Sequence, residues 1–226
     1  MKKIELDKQG IIRNCLLFFL LSCGSLHAQR TDTQGTDFWL AFGTNTINFV
    51  ANIDMQIRIV GGEQDAKVTI HYTELDSFVY LSVAAHSVLP YRILSIPLKT
   101  SVYNEKEGKS KRSIHITSTT PISVYALNQC KETTDATNVL PVTALGIDYY
   151  HISYTPLYAP KDTLKDAYIV IATQNNTTIQ HHNGATMTLN RGELYYHLSN
   201  TDMTGNHITS DKPIAYFVVQ IGRAHV

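Results

Sequence analysis

The clearest feature of this chain is the alternation of apolar and polar residues at every second position. It runs through four segments: Met55–Ile59, Val68–Tyr72, Ile114–Thr117 and Ile122–Ala126. Successive side chains of a β-strand point to opposite faces of its sheet. Each segment is therefore predicted to be a strand with one buried face and one solvent-exposed face.

Turn signals separate these segments at short intervals. They are Gly61–Gly62, Asn104–Gly108, Thr120–Pro121, Asn183–Gly184 and Asp211–Pro213. Asn183–Gly184 indicates a tight hairpin, because both residues tolerate positive φ. No window combines helical apolar spacing with proper caps, so helices are expected to be scarce. Short strands without intervening helices favour an all-β fold of the sandwich or barrel type.

An internal echo points to two related units. Ile116–Tyr125 aligns with Ile208–Phe217, and Ile, Thr, Ser, Pro and Ile are identical at matching places. Ala66–His71 resembles Asn176–His181 at a slightly different offset. We predict tandem antiparallel β-sandwich units from this repetition, with chance similarity among β-rich segments as the alternative.

The predicted organisation has four parts. Residues 1–28 form a signal peptide, 29–158 form the first sandwich unit with a connecting segment, and 159–220 form a second unit that is incomplete at its C-terminal end. Residues 221–226 are interpreted as a non-native tail. The codons ATC GGA AGA GCA CAC GTC would encode them, and that string resembles a sequencing-library adapter.

The leader assignment depends on the order of residue types. Basic residues precede an apolar run, Cys15–Leu21, and small residues reach Ala28, so cleavage is expected before Gln29. The run is much shorter than the roughly 20 residues of a membrane-spanning helix. An alternative is a lipid anchor on Cys23, since Leu20–Gly24 resembles a lipoprotein box. In either case the chain is expected to be secreted or held at the outer cell surface.

Charge and cysteine content narrow the function classes. The chain has 19 basic and 19 acidic residues, and removing four basic and two acidic leader residues leaves 15 and 17. Nucleic-acid binding is not expected without a clustered basic excess. Cys130 is alone after the leader, so neither an internal disulfide nor Cys/His zinc spacing is available. We predict no metal site and no cofactor.

Catalytic constellations are also missing from the sequence. There is no Gly-x-Ser-x-Gly elbow for a serine hydrolase. Asp135, Asp148, Asp166 and Glu193 are available carboxylates, but in turns such residues normally bond to backbone. The pair His181–His182 would point to opposite faces of a strand and could not bind one metal together. The chain is therefore predicted not to be an enzyme, with no catalytic residues.

Aromatic residues supply the candidate ligand-binding positions. Tyr149, Tyr150, Tyr154 and Tyr158 cluster in a proline-containing stretch, and Trp39 lies near the start of the expected mature chain. Tyrosine combines an apolar ring with a polar tip, which suits recognition of protein or sugar surfaces. The alternative is that these rings fill the sandwich core.

Several segments together resemble a known family. They are Gly35–Phe42, Pro121–Asn128, Asp135–Asn138 with Val139–Val142 and Leu145–Tyr150, and Asp202–Ile208 with Lys212–Ala215. Their order and spacing resemble the N-terminal domain family of the IgGFc-binding protein. The resemblance implies a bacterial secreted or surface protein with a binding role. Antibody binding itself is not carried over, because no residue set defines that contact.

Three functions remain open at this point. The first is an exported binding or adhesion module that recognises host or matrix glycoprotein, or glycan. The second is a structural spacer that displays a C-terminal domain. The third is a secreted polysaccharide-active enzyme, which would need two carboxylates at a fixed separation.

Overall fold

The computed structural model describes residues 33–45, 50–130, 133–153, 158–159, 162–163 and 165–219. The strands before residue 140 are β1 (Gln34–Leu40), β2 (Phe42–Gly43), β3 (Asp54–Gly61), β4 (Ala66–Tyr72), β5 (Ser77–Val83), β6 (Val88–Ile93), β7 (Tyr103–Asn104), β8 (Gly108–Ser110), β9 (Ile114–Gln129) and β10 (Thr134–Val139). The later strands are β11 (Asp148–Tyr150), β12 (Tyr158–Ala159), β13 (Asp162–Thr163), β14 (Asp166–Ala172), β15 (Thr177–Gln180), β16 (Thr186–Leu189), β17 (Leu194–Ser199), β18 (His207–Ser210) and β19 (Ile214–Val219). The predicted all-β fold is confirmed.

The predicted alternation is visible in the burial of the strands. Met55, Ile57 and Ile59 of β3 are fully buried, whereas Arg58 between them is exposed. The same period holds along β4. These strands therefore have one face in the core and one face toward solvent, as the sequence pattern indicated.

The first sheet is built around the long strand β9. Its N-terminal half pairs with β4 and β1, and its C-terminal half pairs with β3 and β10. The hairpin partner β5 extends the sheet beyond β4, and β6 extends it beyond β3. Strand β9 thus links the two strand groups that enclose the first core, which includes Phe38, Ile57, Ile70 and Ile116.

The later strands form two four-stranded sheets. One has the order β11-β18-β15-β16 and the other the order β19-β14-β17-β8. Strand β8 lies early in the chain yet pairs with β17, so the second sheet takes an edge strand from the first half of the sequence. Two short pairs, β12 with β13 and β2 with β7, complete the described sheets.

The strand pairings repeat along the chain. Strand β3 pairs with β6 and the C-terminal half of β9, while β4 pairs with β5 and the N-terminal half of β9. Likewise β14 pairs with β17 and β19, while β15 pairs with β16 and β18. Strands β18 and β19 therefore take the places of the two halves of β9. The boundary proposed between residues 158 and 159 stays a prediction.

The pairing corrects one alignment made from the sequence. Val68 lies opposite Ser118, and Ile179 lies opposite Ser210, which is the echo of Ser118. Val68 is therefore equivalent to Ile179 and not to Thr178, where the sequence alignment placed it. A shift of one residue turns a strand side chain to the other face, and Val68 and Ile179 are both buried.

Local chemistry explains the turns and the one α-helix of the described residues. Gly184 takes φ of 81° in the predicted hairpin between β15 and β16. Helix α1 (Ile96–Val102) begins after Ser95, whose hydroxyl accepts a hydrogen bond from the third helical amide, and Pro97 follows. Two short 3-10 helices, Val50–Asn52 and Val142–Ala144, also occur. The sequence analysis missed α1 because seven residues are too few to show helical periodicity.

Strand β14 is buried on both faces because two cores meet there. Ile169 and Ile171 pack with Trp39 in a second core. Tyr168 and Val170 face a third core against the sheet that contains β15 and β18. The sheet of β14 therefore lies between the first region of the chain and the β11-β18-β15-β16 sheet.

Several predictions lie outside the described residues. They are the signal peptide, the lipid anchor at Cys23, the tail 221–226 and Tyr154. None of the helices in the described ranges has the length and apolar character needed to cross a membrane.

Candidate functional site: a cleft between two sheet edges

The candidate site is an open cleft of about 650 Å³ between β10 of the first sheet and β19 of the second. Its walls also include residues of β9 and β2, and the segment around Tyr149 and Ile152. Leu140, Ile152 and Val218 are exposed apolar residues in this lining. A concave site with apolar walls and a few polar groups is the usual form of a ligand-binding site.

The edges of both strands face this cleft. Residues 134–138 of β10 and 215–219 of β19 line it without a gap in either run. Successive strand side chains alternate between faces, so an unbroken run of lining residues means that the strand edge borders the cavity. Within the described residues, β10 pairs only with β9 and β19 pairs only with β14. Each edge therefore presents backbone groups that another extended chain could pair with.

Asp135 supplies the charge of the cleft. Its carboxylate is half-buried, and no hydrogen bond or ion pair joins it to another described residue. Burial raises the pKa of Asp135 to about 6, because desolvation disfavours the charged form. A carboxylate that lacks a partner in a cleft and has a raised pKa is a physically motivated candidate for ligand contact.

Two asparagines of the lining have side-chain oxygens with no hydrogen-bond partner among the described residues. These two oxygens, Oδ1 of Asn128 and Oδ1 of Asn138, are themselves buried. Asn128 donates its amide group to the Gly43 carbonyl at 2.9 Å, which fixes the side chain. Unsatisfied buried polar atoms cost free energy, so both positions lower the stability of the fold, and a ligand in the cleft does not reach them in this structure.

Tyr149 forms part of the aromatic wall. Its ring stacks on Tyr216 with centroids 5.1 Å apart, and both line the cleft. The Tyr149 hydroxyl accepts from the Gly146 amide at 2.8 Å and donates to the Ile214 carbonyl at 2.9 Å. Burial raises the pKa of Tyr149 in this setting. The hydroxyl is thus used within the fold, and the ring is what the cleft presents.

Part of this site falls in a segment with known relatives. The family model described as IgGFc binding protein matches residues 135–224, a range that begins at Asp135 and includes β19. The family resemblance predicted from the sequence is confirmed there. The segments Gly35–Phe42 and Pro121–Asn128 lie outside the matched range.

Wider comparisons add little to the family match. No curated protein is similar to this chain. A similar solved structure is a protein of unknown function from Pseudomonas syringae pv. tomato str. DC3000, with 11% identity, coverage of 81% of each chain and a TM-score of 0.23. A score this low carries no argument about fold or function.

The five predicted ligand-binding residues have different positions in the structure. Tyr149 lines the cleft. Trp39 is 3% exposed and packs in the second core, so it is not available to a ligand in this structure. Tyr150 is 65% exposed on the opposite face of β11 from Tyr149. Tyr158 begins β12, and Tyr154 lies outside the described residues.

A buried His-Asp-Ser cluster is the closest approach to a catalytic arrangement. His151 Nε2 lies 3.1 Å from one oxygen of Asp166, and Ser153 Oγ donates to the other at 2.5 Å. His151 Nδ1 lies 2.6 Å from the Tyr216 hydroxyl. Both imidazole nitrogens are thus occupied by groups other than Ser153. A serine nucleophile needs a base beside it, and this arrangement does not provide one.

The same contacts stabilise the ionised form of Asp166. Burial would raise the pKa of this carboxyl. Hydrogen bonds from His151, Ser153 and the Met203 amide outweigh burial, so the pKa lies below its ordinary value. The cluster ties the segment after β11 to β14 and to the loop before β18, so it stabilises this part of the fold.

The remaining candidates from the sequence stay apart. Asp148 lies beside His207 with 2.8 Å between Oδ1 and Nε2, and Glu193 accepts a hydrogen bond from the Asn190 amide. His181 Nδ1 lies 2.5 Å from the Tyr168 hydroxyl, whereas His182 lies near the His207 amide. No group of three or more possible metal ligands converges anywhere in the described ranges.

Sequence reasoning missed most of the cleft. The sequence offers Asp135 as one carboxylate among several, and its place in a cleft could not be predicted. A local pattern contains no information about β19, which lies far along the chain and borders the same cleft. The available signal was weak: most residues of β10 are polar.

Proposed function

We propose that this chain is an exported, non-catalytic binding or adhesion module that recognises glycoprotein or glycan through the cleft between β10 and β19. The observation that carries the proposal is the Asp135 carboxylate, which has no partner among the described residues and faces an open cavity with aromatic and apolar walls. The match of residues 135–224 to the family model described as IgGFc binding protein supports the same proposal.

The chemistry of the cleft fits this ligand class. The Asp135 carboxylate offers two acceptor oxygens, and a sugar supplies several hydroxyl donors close together. The Tyr149 ring offers an apolar surface for the C–H face of a sugar. The strand edges can pair with the extended backbone of a glycoprotein. A glycosylated protein segment would satisfy all three features at once.

The experiment is binding of the purified chain to a glycan array and to immobilised mucin. Asp135→Asn removes the charged acceptor with little change of shape, and we expect at least about tenfold weaker binding because charge-assisted hydrogen bonds contribute about 1.5–3 kcal/mol. Glu63→Gln is the matched control, since it removes one negative charge from a side chain that is 90% exposed and does not line the cleft.

The pH dependence provides an independent check. Asp135 accepts hydrogen bonds best when ionised, and its pKa is raised to about 6. Binding should therefore strengthen as pH rises from 5 to 7. If neither glycans nor mucin bind the chain above background, the adhesion proposal is wrong and the spacer role becomes the better explanation.

A further inference from the structure

The strand repeat brings two sets of three residues into equivalent positions. In the first unit Trp39 of β1 lies opposite His115 of β9, and Asp37 is two residues earlier on β1. Among the later strands, Tyr150 of β11 lies opposite His207 of β18, and Asp148 is two residues earlier on β11. The local sequences also correspond: Gly-Thr-Asp-Phe-Trp from residue 35 and Gly-Ile-Asp-Tyr-Tyr from residue 146.

Both sets make the same contacts. In the first triad (Asp37, Trp39 and His115), the His115 Nε2 to Asp37 Oδ1 distance is 2.9 Å, and the Trp39 and His115 rings stack at 4.0 Å and 12°. In the second triad (Asp148, Tyr150 and His207), the corresponding distance is 2.8 Å, and the rings stack at 4.5 Å and 10°. The two triads are thus copies of one structural element.

The first triad shows what this element binds. The Arg191 guanidinium carbon lies 5.5 Å from the Trp39 ring centroid, and its Nη2 is 3.9 Å from Asp37 Oδ2. Gly192 follows with φ of 82°, and a Cβ built there would lie only 3.2 Å from the Trp39 ring. An Arg-Gly turn therefore covers the ring: the arginine contacts both the π face and the carboxylate, and the glycine permits close backbone approach.

The second triad has no such cover among the described residues. Tyr150 is 65% exposed, and the Asp148 side chain is 59% exposed. Ile147, the residue before Asp148, is also exposed. Within the described part of the chain, the cation over an aromatic ring is Arg191 over Trp39, with no counterpart over Tyr150. The second triad therefore has the same geometry as the first, but no arginine-glycine turn among the described residues covers it.

We propose that the second triad is a docking site for an arginine-glycine turn of a partner protein. The guanidinium lies over Tyr150 and pairs with Asp148, and the glycine packs against the ring edge. Arginine fits better than lysine because its planar, weakly hydrated guanidinium stacks on aromatic rings. This site is additional to the cleft, since Tyr149 and Tyr150 are neighbours on a strand and point to opposite faces.

The test uses a cyclised peptide with the sequence of residues 189–195, Leu-Asn-Arg-Gly-Glu-Leu-Tyr, titrated into the full chain and followed by NMR. We expect saturable shifts of the Tyr150 and His207 signals. Tyr150→Ala and Asp148→Asn should each weaken binding about two- to fivefold, as expected for a cation–π contact and an ion pair at exposed positions. Replacing arginine with lysine, or glycine with alanine, in the peptide should also weaken it.

Controls separate this site from other surfaces. Tyr80→Ala removes a tyrosine on β5 that is 75% exposed and should leave binding unchanged. Circular dichroism melting verifies that each variant is folded. Unsaturable titration, or equal binding by the Tyr150→Ala variant, overturns the proposal. Loss of peptide binding in Asp135→Asn instead would place the peptide in the cleft and would also refute it.

Discussion

Replacing Asp135 with asparagine should stabilise the fold at neutral pH. The substitution keeps the shape of the side chain and removes a carboxyl group that burial makes hard to ionise. The pKa of Asp135 is raised to about 6 in the folded chain, against about 3.9 in an unfolded chain. The folded state therefore holds this proton more tightly than the unfolded state does.

The sign of the pH effect follows from linkage. Between about pH 4 and pH 6 the folded state binds more protons than the unfolded state, so the free energy of unfolding decreases as pH rises through this window. A tenfold change in acidity corresponds to about 1.4 kcal/mol. Because Asp135 is partly exposed and screened by water, we expect the effect at pH 7 to be only about 1 kcal/mol.

The assay is urea denaturation of wild type and Asp135→Asn from pH 4 to pH 7, followed by the emission of Trp39. This residue is the single tryptophan of the sequence and is buried, so its emission reports unfolding. The two proteins should have similar stability at pH 4, and the variant should be about 1 kcal/mol more stable at pH 7. Parallel curves across the range would show that Asp135 is not desolvated, and the cleft assignment would lose its main support. Glu63→Gln controls for the loss of one charge.

Three further changes test the packing. Gly192→Ala should cost about 2–3 kcal/mol of unfolding free energy, because it adds a tight contact with Trp39 to the cost of positive φ. Gly184→Ala, with φ of 81° and open space, should cost about 1 kcal/mol, and equal losses in urea titrations would show that the Trp39 contact adds nothing. Trp39→Ala should cost about 3–5 kcal/mol by circular dichroism, and a loss below about 1 kcal/mol would be incompatible with a core position. Asp166→Asn should cost about 2–3 kcal/mol at pH 7. Because folding lowers the pKa of Asp166, the stability lost in Asp166→Asn should become smaller as pH falls below about 4. A loss that does not change with pH would contradict an ionised Asp166 in this cluster.

The raised stability expected for Asp135→Asn has a functional counterpart. The Asp135 carboxylate lowers the stability of the fold, and it is also the group proposed to accept hydrogen bonds from a ligand. Binding groups are commonly held in environments that cost stability, so variants that stabilise the fold at such sites tend to lose function. Asp135→Asn should therefore raise the free energy of unfolding and at the same time weaken ligand binding.

The sequence by itself determined the strands and their repetition. The alternation at positions such as 55–59 and 68–72 indicates which side chains share a face of the sheet. This holds because side chains of any β-strand repeat every two residues, independently of the tertiary structure around the strand. The echo between residues 116–125 and 208–217 likewise marked strands that occupy equivalent places in the sheets. The sequence pattern did not predict the short helix α1, because seven residues show no clear helical period. It also did not predict the one-residue shift in the second echo, because similar β-rich segments align in more than one register.

The tertiary structure alone decided which of these faces are covered. Trp39 and Tyr150 occupy equivalent positions with equivalent neighbours, yet Trp39 is buried under the Arg191–Gly192 turn and Tyr150 is exposed. The cleft exists because β10 and β19, distant in the chain, bring their edges to one cavity. Alternation fixes the direction of a side chain relative to its own strand, but burial depends on which other sheet packs against that face, and no local pattern contains this information.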